Sequence, residues 1–161
     1  MSQITIEAHD EAATEALGRA LAEILPAGVT VALNGPLGAG KTRLVQAIAA
    51  AVGVEPGVAL SPTFVLLQEY RGSRTIFHAD AYRLRDEDEF WALGADEFLN
   101  SDALVFIEWA ERVAGCLPSE HLRIDIEETA PSARRFTIVA VGSKYAAVID
   151  RLAATHRGQR Q

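Results

Sequence analysis

The start of the chain changes from the two-residue repeat of a strand to the longer repeat of a helix. Ile4 and Ile6 stand between polar residues, which predicts a short strand. Asp10 can then cap a helix, and Pro26 and Gly28 end it. The apolar residues that would form one face of this helix are Ala13, Leu17, Ala20, Leu21 and Ile24.

A glycine-rich segment follows between a strand pattern and a helix pattern. Residues 29–33 form a short apolar run rich in β-branched side chains, which predicts a strand. The alanine-rich stretch 41–52 predicts a helix that stops at Gly53. The sequence therefore predicts a strand, a glycine loop and a helix in direct succession.

The second half of the chain contains mostly strand patterns. Segments 64–70 and 75–82 flank the polar turn 71–74, which contains a glycine, and they predict a hairpin. Asp86 begins a short acidic helix that ends near Gly94. Three further strands and a closing helix are predicted at 103–107, 121–127, 136–141 and 144–155.

The composition is that of an ordinary folded protein. With 161 residues, 49% hydrophobic and 23% charged, the chain fits one domain, which we place at 1–156, with 157–161 as a frayed tail. Cys116 is the only cysteine, so an intramolecular disulfide is excluded. It has no basic neighbour in sequence that would activate its thiol, and we interpret it as inert.

The charge distribution argues against a protein that binds nucleic acid without partners. The net charge is −7, and the 15 lysines and arginines are scattered along the chain. Any role with nucleic acid is therefore expected to be indirect. The N-terminus lacks a signal-peptide pattern, and no apolar run approaches the ~18 residues that span a bilayer. We expect a cytoplasmic protein without a membrane segment.

Residues 35–42 match the phosphate-binding loop G-x-x-x-x-G-K-[ST] completely. Glycines allow the positive φ angles that turn backbone N–H groups inward, and the following helix directs its N-terminal N–H groups at the same anion. Lys41 is then expected to reach the β and γ phosphates, and Thr42 to offer a hydroxyl to Mg²⁺. The predicted nucleotide-binding residues of this segment are Gly35, Leu37, Gly38, Ala39, Gly40, Lys41, Thr42 and Arg43.

Two acidic residues are candidates to complete such a site. A phosphate loop needs a carboxylate from a neighbouring strand on the metal side, and Glu108 directly follows an apolar run. Asp80 shares one face of a predicted strand with His78 and Tyr82, a pattern typical either of a site or of an exposed hairpin face. For His78 alone, a structural role is favoured.

Two other residues remain open between a functional and a structural role. Thr63, within Ser-Pro-Thr at 61–63, lies where many nucleotide switches keep a hydroxyl that senses the γ phosphate, but a proline-initiated turn explains it equally well. Trp109 can line the nucleotide cleft or pack, and packing is favoured.

In order and spacing, these motifs together resemble the TsaE family, the bacterial ATPases of tRNA threonylcarbamoyladenosine biosynthesis. The resemblance covers residues from about 5 to 142 and includes Thr14 in the first helix, the Leu-Gly-Ala-Gly-Lys-Thr loop, Ser-Pro-Thr, His-Ala-Asp-Ala-Tyr-Arg at 78–83, Glu-Trp at 108–109, and Arg134 at the start of a late strand. It implies a single α/β domain of three layers, like other P-loop NTPases, built on a mixed parallel and antiparallel sheet.

The resemblance also implies roles and partners. ATP and Mg²⁺ would bind at Lys41 and Thr42, Glu108 would be the second metal-side group, Asp80 would support hydrolysis, and Thr63 would belong to the switch. Arg134 would contribute to nucleotide binding, and segment 9–14 and the region near Arg134 are expected to contact adenine. TsaD and TsaB would be the partners that transfer the threonylcarbamoyl group to the adenosine beside the anticodon, in tRNAs reading codons that begin with A. This chain would then contact tRNA only indirectly, through these partners.

The chain departs from the family pattern at three positions. Ala79 and Ala81 replace larger residues on the strand face opposite Asp80, which puts packing in question. Pro36 stands where the family often has aspartate, which weakens a role for a side chain there.

Three other classes of protein remain as alternatives. A small-molecule kinase also begins with a phosphate loop, but no arginine-rich stretch of lid length lies between 86 and 116. A GTP-dependent switch would show N-K-x-D and D-x-x-G, which are absent from the sequence. The third alternative is a protein that binds ATP only to create an interaction surface. It remains because no arginine finger or water-positioning glutamine is evident in the sequence.

Overall fold

A computed structural model describes residues 2–55, 57 and 66–159. The strands are β1 (Gln3–Ala8), β2 (Thr30–Asn34), β3 (Leu67–Arg71), β4 (Thr75–Asp80), β5 (Leu104–Glu108), β6 (His121–Ala130) and β7 (Ala133–Val141). The helices are α1 (Glu11–Ile24), α2 (Lys41–Ala51), α3 (Glu87–Ala92), α4 (Ala95–Leu99) and α5 (Ala146–Gln159), and a 3-10 helix covers Ala110–Cys116.

Within the described residues, the strands form one seven-stranded sheet in the order β1-β7-β6-β2-β5-β4-β3. The four neighbouring strands β6, β2, β5 and β4 run parallel to one another. The outer pairs β1–β7, β7–β6 and β4–β3 are antiparallel. The predicted mixed sheet is thereby confirmed.

Helices cover both faces of this sheet and bury two apolar clusters. Helices α1, α2 and α5 supply one cluster, which includes Leu21, Leu44, Ile48 and Leu152. Helices α3 and α4 and the 3-10 helix supply the other, which includes Phe90, Phe98 and Val113. The fold is thus α/β with three layers, as expected, because the central parallel strands need cover on both sides. No helix in the described part of the chain has the length and apolar character needed to cross a membrane.

Most predicted elements are confirmed, with shifts at their ends. Asp10 caps α1, since its side chain accepts a hydrogen bond from the Ala13 N–H at 2.8 Å. The hairpin of β3 and β4 is present, although part of segment 64–70 lies outside the described residues. Helix α5 continues to Gln159, so the tail expected at 157–161 begins inside it, and basic residues in its last turn suit the negative end of the helix dipole.

Sequence patterns missed two short elements on the second face. Gly94 ends α3 as predicted, but α4 begins at once, with Gly94 at φ 92°. The 3-10 helix after β5 was not predicted, because pieces this short carry no periodic signal. Ala79 and Ala81 are both fully buried in the cluster beneath these elements, so the smaller side chains fit this packing.

Candidate active site

The predicted phosphate loop, residues 35–42, joins the end of β2 to the start of α2, as the sequence predicts. Two of its glycines are required by geometry. A Cβ on Gly35 would lie 2.7 Å from the backbone oxygen of Ile126, which is too close for any side chain. Gly40 precedes α2 with φ 108°, a backbone angle that other residues rarely adopt. Leu37, at the tip of the loop, is 82% exposed.

Lys41 is the first residue of α2, and its side chain folds back over the loop. Its Nζ donates to the backbone oxygens of Gly35 at 2.5 Å and Pro36 at 3.1 Å, and it lies 4.1 Å from the centre of the Trp109 ring. Burial lowers the pKa of Lys41, while the nearby carboxylates of Glu108, Glu111 and Asp80 oppose that shift. The Lys41 ammonium is therefore held at the loop, close to three carboxylates.

The two predicted acidic residues lie side by side, because β4 and β5 are parallel neighbours that end together. Asp80 is paired with Glu108 in the register of these strands. The Thr42 hydroxyl, on α2, donates to Glu108 Oε2 at 2.8 Å. Glu108 and Asp80 are both buried. The structure thus brings Thr42, Asp80 and Glu108 together beside the loop.

Asp80 has an unusual electrostatic environment for an aspartate. Its Oδ1 accepts a hydrogen bond from the Tyr82 N–H at 2.8 Å. Burial raises the pKa of Asp80, and the charge of Glu108 adds to this effect. The Tyr82 N–H, His78 and Lys41 act in the opposite direction. A carboxyl with a raised pKa accepts a proton more readily than an ordinary aspartate does.

The two predicted arginines lie at the cleft, but their guanidinium groups already contact protein atoms. Arg134 Nε donates to the Ala39 oxygen at 2.8 Å, and its NH1 donates to backbone oxygens of the β6–β7 turn. Arg134 therefore ties that turn to the phosphate loop. Arg43 pairs with Glu15 at 2.5 Å.

These residues surround one cleft of about 410 Å³. Its lining consists of residues 37–43 together with Glu11, Asp80, Glu108, Trp109 and Arg134. Next to it, a smaller cavity of about 50 Å³ lies between Glu11 and Thr14 on one side and residues 131–134 on the other. The two regions expected to contact adenine therefore both line this cavity, together with Gly40.

Sequence reasoning left the role of Trp109 open and did not predict its contact with the Tyr82 ring. Trp109, for which packing was favoured, has its ring over Lys41, with a left-handed backbone at φ 57°. The Tyr82 ring lies 4.9 Å from the Trp109 ring and is 46% exposed. The only sequence signal for Trp109 was its place directly after the strand-ending Glu108.

Two further sequence interpretations have different outcomes. Thr63, predicted as a switch residue, lies outside the described residues. Cys116 is buried, and burial together with the adjacent Glu87 raises the pKa of its thiol to about 12. Because the thiolate is the reactive form, this agrees with an inert cysteine.

The polar atoms at the strand ends suit a magnesium ion. Mg²⁺ prefers hard oxygen ligands and usually keeps several of its waters. The Thr42 hydroxyl and the Glu108 carboxylate supply such oxygens, 2.8 Å apart, at the mouth of the phosphate loop. The predicted ligand pair therefore fits this ion.

Comparisons with known proteins agree with this architecture. In a crystal structure of YdiB from Bacillus subtilis, the fold superposes with a TM-score of 0.82, at 27% identity, over 96% of this chain and 97% of that one.

Sequence relatives identify the family. The chain is 33% identical to the tRNA threonylcarbamoyladenosine biosynthesis protein TsaE of Bacillus subtilis, over 94% of this chain and 95% of the relative. It is 42% identical to the TsaE protein of Mycobacterium leprae, over 71% of this chain and 76% of the relative. Residues 8–136 match the family model of the threonylcarbamoyl adenosine biosynthesis protein TsaE. The chain therefore belongs to the TsaE family of tRNA threonylcarbamoyladenosine biosynthesis proteins.

Proposed function

We propose that this protein is a Mg²⁺-dependent ATPase that acts with TsaD and TsaB in the threonylcarbamoyl modification of the adenosine next to the anticodon. The observation that carries the proposal is the contact between Thr42, which follows the phosphate-loop lysine, and Glu108 at 2.8 Å, with Asp80 beside it in the same cleft. A loop for phosphate, a pair of metal-side oxygens and a second carboxylate are the parts that phosphoryl chemistry needs.

The loop and Lys41 bind the phosphates in this proposal. The N-terminus of α2 and the backbone N–H groups of the loop attract the negative charge of the phosphates. Lys41 must exchange the oxygens of Gly35 and Pro36 for phosphate oxygens, and its ammonium then offsets charge on the γ phosphate. The cavity between segment 9–14 and the turn near Arg134 is the adenine subsite in this proposal.

Thr42 and Glu108 are the residues that would hold the magnesium ion. When bound, Mg²⁺ neutralises phosphate charge and so favours displacement at the γ phosphorus. Thr42 would keep donating its hydroxyl proton to Glu108 and would have an oxygen lone pair left for the ion. Glu108 thereby orients the hydroxyl as well as supplying negative charge.

In this proposal Asp80 acts on the attacking water. Its carboxylate is buried at the cleft, and its raised pKa suits a group that accepts a hydrogen bond or a proton from water. Hydrolysis then joins the water oxygen to the γ phosphorus and breaks the bond to the β phosphate, giving ADP and inorganic phosphate.

The acidic charge and the exposed rim of the cleft support action through partners. With a net charge of −7, the chain lacks the positive surface that binds a phosphate backbone, so TsaD and TsaB would hold the tRNA. Leu37 lines the cleft, the Tyr82 ring lies beside Trp109 of the cleft, and both are large exposed hydrophobic side chains. Side chains of this kind are often contact points for other proteins. We place this activity in the cytoplasm.

The proposal is tested by measuring ATP hydrolysis by the purified protein, alone and with its cognate TsaD and TsaB. We expect slow turnover alone and a rise of at least about tenfold with both partners. If the partners stimulated hydrolysis equally well without Mg²⁺, the proposed metal dependence would be contradicted. Robust phosphate transfer to a small acceptor, with no stimulation by the partners, would contradict the proposal and favour a small-molecule kinase.

The metal role of Glu108 gives a separate prediction. Glu108→Gln keeps the shape of the side chain but removes its negative charge, so Mg²⁺ should no longer strengthen nucleotide binding as it does in the wild type. We expect the half-saturating Mg²⁺ concentration to rise about 10- to 100-fold. Calorimetric titration of Mg²⁺ with a non-hydrolysable ATP analogue measures this. Glu23→Gln, an exposed position on α1, is the matched control. An unaltered magnesium dependence in Glu108→Gln would count against the metal role.

A further inference from the structure

His78 is a fully buried side chain on β4 whose two ring nitrogens both have polar partners. Its Nε2 lies 2.6 Å from Glu108 Oε2, and its Nδ1 lies 3.0 Å from the Tyr70 hydroxyl. The Tyr70 hydroxyl also lies within hydrogen-bond distance of Gln68 Oε1. A row of polar contacts therefore runs from β3 through β4 to the metal-side end of β5.

The same oxygen of Glu108 is contacted from two sides. Oε2 accepts from the Thr42 hydroxyl at 2.8 Å and faces His78 Nε2 at 2.6 Å. Because a carboxylate oxygen only accepts, the ring nitrogen that faces it carries the proton. The His78 Nε2–H group is thus a donor to Glu108.

The length of Glu108 makes this second donor useful. A glutamate has one more rotatable bond than an aspartate, and fixing that bond costs conformational entropy. With His78 Nε2 as a second donor, Glu108 Oε2 is held by two contacts instead of the single one from Thr42. His78 stands opposite Phe106 in the β4–β5 register, two residues before the Asp80–Glu108 pair, and such diagonal neighbours are within reach of long side chains.

Resting on the proposed function, we propose that His78 is a positioning residue for the magnesium site. Its Nε2–H holds Glu108 Oε2 against Thr42, so that the carboxylate is already oriented when nucleotide and metal arrive. Tyr70 fixes the ring from the other side. A role limited to filling the core would need the volume of the ring but not the hydrogen bond at Nε2.

Two amide variants separate these roles. In His78→Gln the amide nitrogen falls near the position of Nε2 and can still donate to Glu108. In His78→Asn it falls near Nδ1, toward Tyr70, and the contact with Glu108 is lost. Loss of a hydrogen-bond partner of a metal ligand typically weakens metal binding about 10- to 100-fold. We expect that increase in half-saturating Mg²⁺ for His78→Asn, and a change of less than about threefold for His78→Gln.

The measurement is Mg²⁺-dependent binding of a non-hydrolysable ATP analogue, with nucleotide affinity in excess EDTA as the reference. Both variants should keep the wild-type affinity in EDTA. A wild-type magnesium response in His78→Asn, or equal losses in both variants, would overturn the positioning role. Wild-type protein that fails to bind nucleotide at all would instead overturn the proposed function.

A measurement on the unmodified side chain covers the case in which either variant fails to fold. In wild-type protein, nitrogen NMR of the imidazole should show a slowly exchanging Nε2–H that persists when Mg²⁺ and the analogue are added. If the Nε2 proton instead exchanged rapidly with solvent after addition of Mg²⁺, Glu108 would have moved away from His78, and the proposal would be overturned.

Discussion

Lys41→Ala is expected to weaken ATP binding about 100-fold. Hydrogen bonds to charged groups contribute up to about 3 kcal/mol, and each ~1.4 kcal/mol corresponds to a factor of ten in affinity. Part of this loss is offset, because the variant no longer has to break the contacts of Nζ with the oxygens of Gly35 and Pro36. Removal of the positive charge also weakens binding further, because the carboxylates of Glu108, Glu111 and Asp80 then repel the phosphates without a nearby cation.

The chain offers a close control for this variant. Lys144 is the second of its two lysines, and it is exposed and distant in sequence from the loop. Lys144→Ala removes the same charge and should bind ATP as the wild type does. Titration calorimetry in the presence of Mg²⁺ compares the two. Equal affinities for Lys41→Ala and Lys144→Ala would remove the phosphate loop from the proposed function.

Asp80→Asn is expected to lower partner-stimulated hydrolysis by about 100- to 10,000-fold, the range typical of a lost general acid or base. Asparagine keeps the oxygen that accepts the Tyr82 N–H, so the local backbone geometry should persist. The amide of asparagine cannot accept a proton, whereas burial raises the pKa of the Asp80 carboxyl and makes it a better base. ATP affinity should stay within about threefold of the wild type, because lost ground-state binding and lost catalysis are separable in such variants.

Single-turnover phosphate release with TsaD and TsaB present measures this effect, and titration of the analogue measures affinity. Asp150→Asn, on the exposed side of α5, is the matched control and should hydrolyse ATP normally. Equal reductions of affinity and turnover in Asp80→Asn would mean that Asp80 binds nucleotide rather than acting on water. Unchanged turnover would exclude it from the reaction.

The parts of the site that are contiguous in sequence were predictable. The loop at 35–42 can be recognised because phosphate binding needs glycines, a lysine and a hydroxyl at fixed spacing, and the flanking strand and helix carry their own periodic patterns. The family resemblance followed from the order of several motifs, and the family is confirmed by the matched model. Glu108 and Asp80 were found because each ends an apolar or alternating run.

Contacts between distant segments were not predictable in the same way. Trp109 packs against the second apolar cluster, as favoured, but its ring also covers Lys41, a contact that follows the left-handed turn after β5. His78 was interpreted as structural, and it is buried, but its Nε2 faces Glu108 Oε2. In both cases the partner lies 30 or more residues away, and the approach depends on which strands are neighbours.

The sequence by itself determined the local features: a loop with the phosphate-binding pattern between a strand and a helix, a capped first helix, a hairpin, and acidic residues at strand ends. These features depend on spacing over a few residues, where backbone geometry alone sets which side chains share a face. Tertiary structure decided the rest. The order of the sheet places β4 and β5 together beside the loop, and only then do Asp80, Glu108, Thr42 and His78 meet. Strand order results from burial of both faces of the whole sheet, which no short segment encodes.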